Sequence, residues 1–237
     1  MTAGTIRRRM LPLLGFSAGV RPVGAETVDL ALTCDTTLAP VLRTAGVAYT
    51  AATSVRVFVF PTGPGLILPQ LERDIQNDIV VTRVPTIEQA MQQNLIAHVS
   101  APRWLNPLVI AGRHRASAFD HTLAVADPNP ASVVDGAYVL TRLGLKPSRV
   151  LGAVDTDEVA FLIGKGMAQA GLLHMTDVRA NGLEVIRPVP TDIWPPEVYG
   201  ACVTRLATRP NPQGLLGFLA AAPAGRLLAD GGLEVQA

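Results

Sequence analysis

Four side chains that can bind cations stand at the ends of predicted strands: Cys34, Asp35, Asp135 and His174. Carboxylate, imidazole and thiolate groups are the usual protein ligands of metal ions. If all four pointed into one cleft, they could coordinate a metal ion or a cationic solute. Each also has a structural interpretation. The two aspartates are suitable helix N-caps, the cysteine is suitable as a buried thiol, and the histidine as a hydrogen-bonded core residue.

The sequence lacks several local signatures of cofactor and metal chemistry. Gly63-Pro64-Gly65 is not followed by the Lys-Ser/Thr pair of a phosphate-binding P-loop, and no G-x-G-x-x-G follows a predicted strand. There is no H-E-x-x-H and no C-x-x-C motif. We therefore predict a binding protein that is not an enzyme and that uses no cofactor.

The N-terminus has the pattern of an export signal. Arg7, Arg8 and Arg9 precede an apolar stretch over residues 10–20, and small residues around Ala25 form a cleavage site. The stretch is about half of the roughly 20 residues that a membrane-spanning helix needs. We predict that residues 1–25 are a signal peptide, used by the Sec or the twin-arginine route. The mature protein should be periplasmic, with no membrane span.

Composition excludes other classes of protein. With 49% hydrophobic and 16% charged residues, the chain is not intrinsically disordered. A net charge of +1 and an aromatic content of 5% argue against a nucleic-acid partner. The 237 residues allow two lobes, and we expect a monomer. Cys34 and Cys202 permit either one disulfide or two buried thiols.

Short apolar strands alternate with helices along the whole chain. Strands are predicted over 27–32, 54–60, 79–81, 105–111, 122–126, 149–154, 170–174 and 183–189. Helices are predicted over 38–44, 66–74, 86–94, 136–143, 157–164, 176–180, 212–221 and 223–229. This alternation is typical of βαβ units. It predicts an α/β fold with two lobes, each built on a mostly parallel sheet.

Several segments occur together in a recognisable order. Asp127-Pro128 is followed by Gly136 and Tyr138, then by the proline-rich segment 190–199 and by Asn211-Pro212. In order and spacing they resemble the periplasmic molybdate-binding proteins of ABC importers. The resemblance spans essentially the whole mature chain. It implies a type II-like periplasmic-binding-protein fold, with two lobes joined by crossing strands. Lobe I would comprise 26–107 plus 198–237, and lobe II 108–197.

The resemblance also implies where the ligand binds. Five binding positions of the family fall on Thr37, Pro64, Asp135, Thr156 and His174. Thr62 places a further hydroxyl close to Pro64. They lie at predicted strand–helix junctions, where helix N-termini favour anions. Three positions depart from the family: proline has neither a hydroxyl nor an N–H, Asp135 adds a negative charge, and His174 replaces a tyrosine.

These observations lead to three hypotheses about function. The first is an exported solute-binding protein that captures a molybdate-like oxyanion by hinge closure and delivers it to an ABC permease. Its ligand would contact Thr37, Thr62, Thr156 and backbone N–H groups. The second is a protein of the same fold that binds a metal ion or cationic solute. Its ligands would be Asp35, Asp135, His174 and Cys34. The third is a periplasmic enzyme or accessory protein.

Overall fold

The structure is a computed structural model that describes residues 29–73, 75, 77–99, 103–114, 122–127 and 134–236. The predicted signal peptide, residues 1–25, lies outside these ranges. Within them, no helix combines the length and the hydropathy that crossing a membrane would require.

The described strands form two sheets, and helices pack against both. The first sheet contains β1 (Asp29–Asp35), β2 (Arg56–Thr62), β3 (Ile79–Arg83), β4 (Ile96–Val99), β5 (Arg103–Asn106), β11 (Glu197–Thr204) and β12 (Glu234–Gln236). The second contains β6 (Leu108–Gly112), β7 (Thr122–Ala126), β8 (Arg149–Ala153), β9 (Ala170–His174) and β10 (Glu184–Pro188). The helices are α1 (Ala39–Thr53), α2 (Ile67–Glu72), α3 (Val84–Gln92), α4 (Gly136–Arg142), α5 (Thr156–Gly164), α6 (Met175–Ala180), α7 (Pro212–Ala220) and α8 (Ala222–Asp230). The predicted two-lobe α/β fold is confirmed.

Both sheets are mixed, so the prediction of mostly parallel sheets was wrong. The strand order is β12-β5-β11-β3-β1-β2 in the first sheet, where β4 also pairs with β11, and β10-β6-β9-β7-β8 in the second. Only β1 with β2 and β3, and β7 with β8 and β9, pair in parallel. The other described pairs are antiparallel. The βαβ units form only the parallel part of each sheet. The strands near the crossings between the lobes pair in the antiparallel direction.

The chain crosses between the sheets at Pro107. The prediction of one strand over 105–111 was wrong, because β5 ends at Asn106 in the first sheet and β6 begins at Leu108 in the second. Proline has no N–H to donate to a ladder, which favours a strand break here. The carbonyl of Pro107 accepts a hydrogen bond from the N–H of Met175 at 3.0 Å. The chain returns to the first sheet between β10 and β11.

The central strands of the first sheet are buried on both faces. On one face, residues such as Leu30, Leu32 and Cys34 pack against α1, α7 and α8. On the other, Val80 and Cys202 pack against α2 and α3. The two cysteines therefore lie on opposite faces, and both are free buried thiols. The disulfide alternative was wrong. Burial raises the pKa of the Cys202 thiol to about 12 and that of Cys34 further still.

The turn after α8 joins the first lobe to α6 of the second. Gly232 has φ +100°, and a Cβ there would lie 2.8 Å from the backbone carbonyl of Met175. Only glycine combines this conformation with so close an approach. The C-terminal turn thus packs directly on the start of α6.

Candidate functional site

A buried carboxylate stands at the end of β1. Asp35 is only 1% exposed and pairs in register with Thr62 of β2. Its Oδ1 accepts a hydrogen bond from the Thr82 hydroxyl at 2.7 Å. Its Oδ2 lies 3.7 Å from Nε of Arg83, too far for a hydrogen bond. Both Oδ2 and Nε therefore have no hydrogen-bond partner among the described residues.

The surroundings of Asp35 favour its neutral form. Burial raises the pKa of Asp35 to about 7, and the negative charge of Glu197 acts in the same direction. The hydrogen bond from Thr82 and the charge of Arg83 oppose the rise but do not cancel it. Asp35 can therefore exchange a proton near neutral pH.

A second buried carboxylate, Asp177 of α6, accepts a hydroxyl hydrogen bond from the first lobe. Thr37, in the 3₁₀ turn Thr36–Leu38 before α1, donates to Asp177 Oδ1 at 2.7 Å. Thr156, the first residue of α5, lies near the Asp177 side chain and lowers its pKa. Burial raises the pKa of Asp177, while His174 and the two threonines oppose the rise. Its Oδ2 has no partner among the described residues.

A hydrogen-bond chain ties Asp177 to the crossing between the lobes. The side-chain amide of Asn106 donates to Thr176 Oγ1 at 2.9 Å, and Thr176 Oγ1 lies 2.8 Å from Thr37 Oγ1. Because Thr37 gives its only hydroxyl proton to Asp177, Thr176 must be the donor to Thr37. The chain therefore runs in one direction, from Asn106 to Asp177.

Glu197 and Tyr199 of β11 connect these two carboxylates. The Tyr199 hydroxyl donates to Glu197 Oε2, and His174 Nε2 lies 3.8 Å from the same oxygen. His174 is 4% exposed, and its Nδ1 has no partner in the described structure. Burial and the charges of Glu197 and Asp35 raise the pKa of Tyr199, so the phenol stays neutral.

Local sequence explains why α5 presents Thr156 here. Asp155 is the N-cap, and its Oδ1 accepts from the N–H of Glu158 at 2.9 Å. Glu158 reaches back to accept from the N–H of Val154 at 2.6 Å. These reciprocal bonds act like a capping box and fix the first turn of α5.

An open cavity of about 420 Å³ adjoins Arg83 in the first lobe. It lies between α2 and α3, and its lining includes Gly65, Pro85 and Arg83. A second groove of about 360 Å³ separates α1, α6 and α8, with Thr176 in its wall. The two cavities therefore reach the polar residues of the site at Arg83 and at Thr176.

Three of the six predicted binding residues meet in one cluster: Thr37, Thr156 and His174 converge on Asp177. Thr62 is placed beside Asp35 by strand pairing. Pro64 begins the 3₁₀ turn Pro64–Leu66 after β2. Asp135 is the N-cap of α4, and its Oδ1 accepts from the N–H of Tyr138 at 2.9 Å. The binding role of all six residues remains a prediction.

The described residues do not bring the four members of the predicted cation set together as a metal-binding group. Nowhere in the described ranges do three His, Cys, Asp or Glu side chains form a group that could hold a metal ion. Cys34 and Asp35 are consecutive in a strand and so point to opposite faces. Cys34 packs in the apolar core under α1, and Asp135 caps α4.

Sequence reasoning missed Arg83, Asp177 and Glu197. Arg83 follows a buried strand directly, a position that could have marked it. Asp177 is the third residue of its helix, where an acid is typically a solvated partner of the helix dipole. Nothing in its local sequence indicates burial. Glu197 follows a proline pair and resembles a surface residue in the sequence.

The chain has the fold of several solved solute-binding proteins. The periplasmic molybdate-binding protein of Azotobacter vinelandii superimposes with a TM-score of 0.72 at 14% identity, covering 88% of this chain and 100% of that one. A substrate-binding domain from Clostridium difficile, assigned to a molybdenum ABC transporter, gives 0.68 at 17% identity, covering 87% and 98%. A Clostridium perfringens protein described as a phosphate ABC transporter substrate-binding protein, with bound phosphate, gives 0.61 at 9% identity, covering 88% and 100%.

At such identities the structures show a common fold and no more. No curated protein sequence matches the chain. The model of the bacterial extracellular solute-binding protein family matches residues 30–234, nearly the whole described chain. This family is described as one of extracellular solute-binding proteins. The chain therefore belongs to the bacterial extracellular solute-binding protein family.

Proposed function

We propose that this protein is the periplasmic solute-binding component of an ABC importer and that its ligand is a small oxyanion held between the lobes. One observation carries the proposal: the Thr37 hydroxyl of the first lobe donates to Asp177, a carboxylate of the second lobe, at 2.7 Å. A place where hydrogen-bonding groups of both lobes meet around an anionic oxygen suits a ligand of the same chemistry.

Electrostatics also favour an anion here. Thr37 precedes α1 and Thr156 begins α5, so backbone N–H groups without intrahelical partners lie beside them. The positive ends of both helix dipoles add to this attraction. The Arg83 guanidinium supplies a full positive charge, and its Nε has no hydrogen-bond partner in the described structure. Molybdate and phosphate, named for the structural neighbours, are both oxyanions of this kind.

The mechanism is binding and closure, without a chemical step. The two crossings, at Pro107 and between β10 and β11, let the lobes bend about a hinge. The contacts of Thr37 with Thr176 and Asp177 support this mechanism, because they join the two lobes. The ligand joins these contacts, and the closed form is the one that the permease would accept.

Thermal unfolding of the mature protein tests this function. Ligands are molybdate, tungstate, sulfate and inorganic phosphate. A ligand at 100-fold its Kd adds about 2.7 kcal/mol, which raises the Tm of a chain of this size by roughly 5–10 °C. Arg83→Gln should lose most of that shift, whereas Arg226→Gln, at an exposed position of α8, should keep it. The absence of any shift with all four anions would reject the proposal.

A further inference from the structure

A groove with walls from both lobes lies beside the candidate oxyanion site. Its walls are α1 and α8 of the first lobe and α6 of the second, and its volume is about 360 Å³. Among the described residues that line it, only Thr176 also belongs to the polar cluster around Asp177. Small-molecule sites in proteins have volumes of roughly 300–1,000 Å³. The groove is therefore large enough to hold a small solute.

Two glycines fix the contacts between the walls of this groove. A Cβ on Gly231, which directly follows α8, would overlap with the Val41 side chain of α1. A Cβ on Gly232 would lie 2.8 Å from the backbone of Met175, the first residue of α6. All three helices are thus held together at the end of α8. A solute would enter a preformed groove, which lowers the entropic cost of binding.

Two opposite charges line the groove from different walls. Arg179 lies in the last turn of α6, and Asp230 is the last residue of α8. Neither side chain has a hydrogen-bond or ion-pair partner among the described residues. The last turn of α8 contains no basic residue, so Asp230 adds its charge to the negative end of the helix dipole. A cation bound at Asp230 would relieve this repulsion.

The rest of the lining offers mainly apolar surface. It includes the apolar residues Pro40, Val41, Ala180 and Leu227. The two threonine hydroxyls in the lining already have partners: Thr44 donates to the carbonyl of Pro40 at 3.3 Å, and Thr176 is hydrogen-bonded to Thr37 at 2.8 Å. Polar recognition in the groove therefore falls to the two charged side chains.

We propose that this groove is a second binding site, which takes a small zwitterion whose ammonium and carboxylate groups are separated by a short apolar chain. The carboxylate binds the Arg179 guanidinium, the ammonium binds the Asp230 carboxylate, and the chain packs on the apolar lining. A solute with only one of these charges leaves the other charged side chain without a partner, so it binds more weakly. The zwitterion bridges the lobes, because Arg179 and Asp230 belong to different ones.

Calorimetric titration of the mature protein with a series of ω-amino acids tests this proposal. The probes are glycine, β-alanine, γ-aminobutyrate, δ-aminovalerate and ε-aminocaproate, because the chain length must match the distance between the two charges. At least one of them should bind with a Kd of about 1 mM or lower. The plain amine and the plain carboxylate of the same chain length should each bind at least about fivefold more weakly.

Substitutions assign the contacts within the groove. Arg179→Gln and Asp230→Asn should each weaken the best zwitterion by at least about fivefold. Both side chains are exposed, so neither change should prevent folding. Arg226→Gln, at an exposed position of α8 outside the described lining, is the matched control and should leave the affinity unchanged. Arg83→Gln, in the candidate oxyanion site, should leave it unchanged too.

Three results would overturn the proposal. The first is that no member of the series binds with a Kd below about 10 mM. The second is equal affinity for the zwitterion and for its two singly charged analogues. The third is loss of binding in Arg83→Gln but not in Arg179→Gln, which would place the zwitterion beside Arg83. None of them bears on the oxyanion function, because the anion experiments test that separately.

Discussion

The first sheet carries an Asp–Arg pair with a buried aspartate at the amino end of its parallel strands and another at their carboxyl end. The two pairs differ in how closely they are bound. At the amino end, Asp78 Oδ2 accepts from Arg209 Nη1 at 3.0 Å and from the N–H of Ala31 at 2.8 Å. At the carboxyl end, Asp35 and Arg83 stand 3.7 Å apart without a hydrogen bond. Both aspartates keep one unpartnered oxygen, but only Asp78 is hydrogen-bonded to its arginine.

Under the proposed function, this contrast separates a structural pair at the amino end from a ligand-binding pair at the carboxyl end. The groups at the amino end are hydrogen-bonded to the backbone. Asp78 accepts from the N–H of Ala31 in β1, and the Thr204 hydroxyl donates to the carbonyl of Asn77. The carboxyl-end groups are held apart beside an open cavity. In open α/β sheets, ligands gather at the carboxyl ends of strands. Asp35 and Arg83 are not hydrogen-bonded to each other, so under the proposed function both can contact a ligand.

The largest effect should come from breaking the amino-end pair. Asp78→Ala leaves the N–H of Ala31 without its acceptor and Arg209 without its partner. We expect a loss of about 3 kcal/mol in the free energy of unfolding, measured by urea denaturation. A loss under about 1 kcal/mol would mean that the amino-end pair is not structural.

Asp35→Asn should change the pH dependence of stability. The pKa of Asp35 is raised in the folded state to about 7, so folding retains a proton that the unfolded chain releases near its ordinary value. Stability is therefore full at low pH and falls as pH rises through about 7. From about pH 5 to about pH 8, the unaltered protein should lose on the order of 2 kcal/mol more than Asp35→Asn. Parallel stability curves from urea melts would contradict this expectation.

A matched pair of arginine substitutions gives the smallest and sharpest contrast. Arg209→Met removes a hydrogen bond to a fully buried carboxylate and should cost about 1 kcal/mol. Arg83→Met at about pH 6 should change stability by less than about 0.5 kcal/mol, because Asp35 is then mostly protonated. Chemical denaturation of both variants at that pH measures the difference. Equal losses would show that the two ends are alike.

Much of the fold could be predicted because strand and helix patterns are local. Apolar runs such as 122–126 and 170–174 coincide with β7 and β9, and Asp155 was close to a predicted helix start. The break at Pro107 was missed because an apolar run continues on both sides of it. Where a strand changes sheets depends on what packs beside it, and a local pattern does not contain this information.

The candidate site was less predictable because it depends on side chains that meet from distant parts of the chain. Thr37 and Asp177 are 140 positions apart, yet their side chains share a hydrogen bond. In the sequence, Thr37 resembles a donor for a ligand. Only the structure reveals that an internal carboxylate takes its proton. Cys34 and Asp35 show the opposite error. They are adjacent in sequence and were assigned to one possible site, but their side chains point to opposite faces of the sheet.

The contact of Gly232 with Met175 would restrict how the lobes move in the proposed closure. Two lobes joined only by crossing segments can both bend and twist about them. A third point of contact, set away from the chain crossings, opposes twisting while it leaves bending possible. A Cβ placed on Gly232 would lie 2.8 Å from the backbone of Met175, the first residue of α6. In the proposed closure, the turn that contains Gly232 would limit twisting and so keep Asp177 aligned with Thr37.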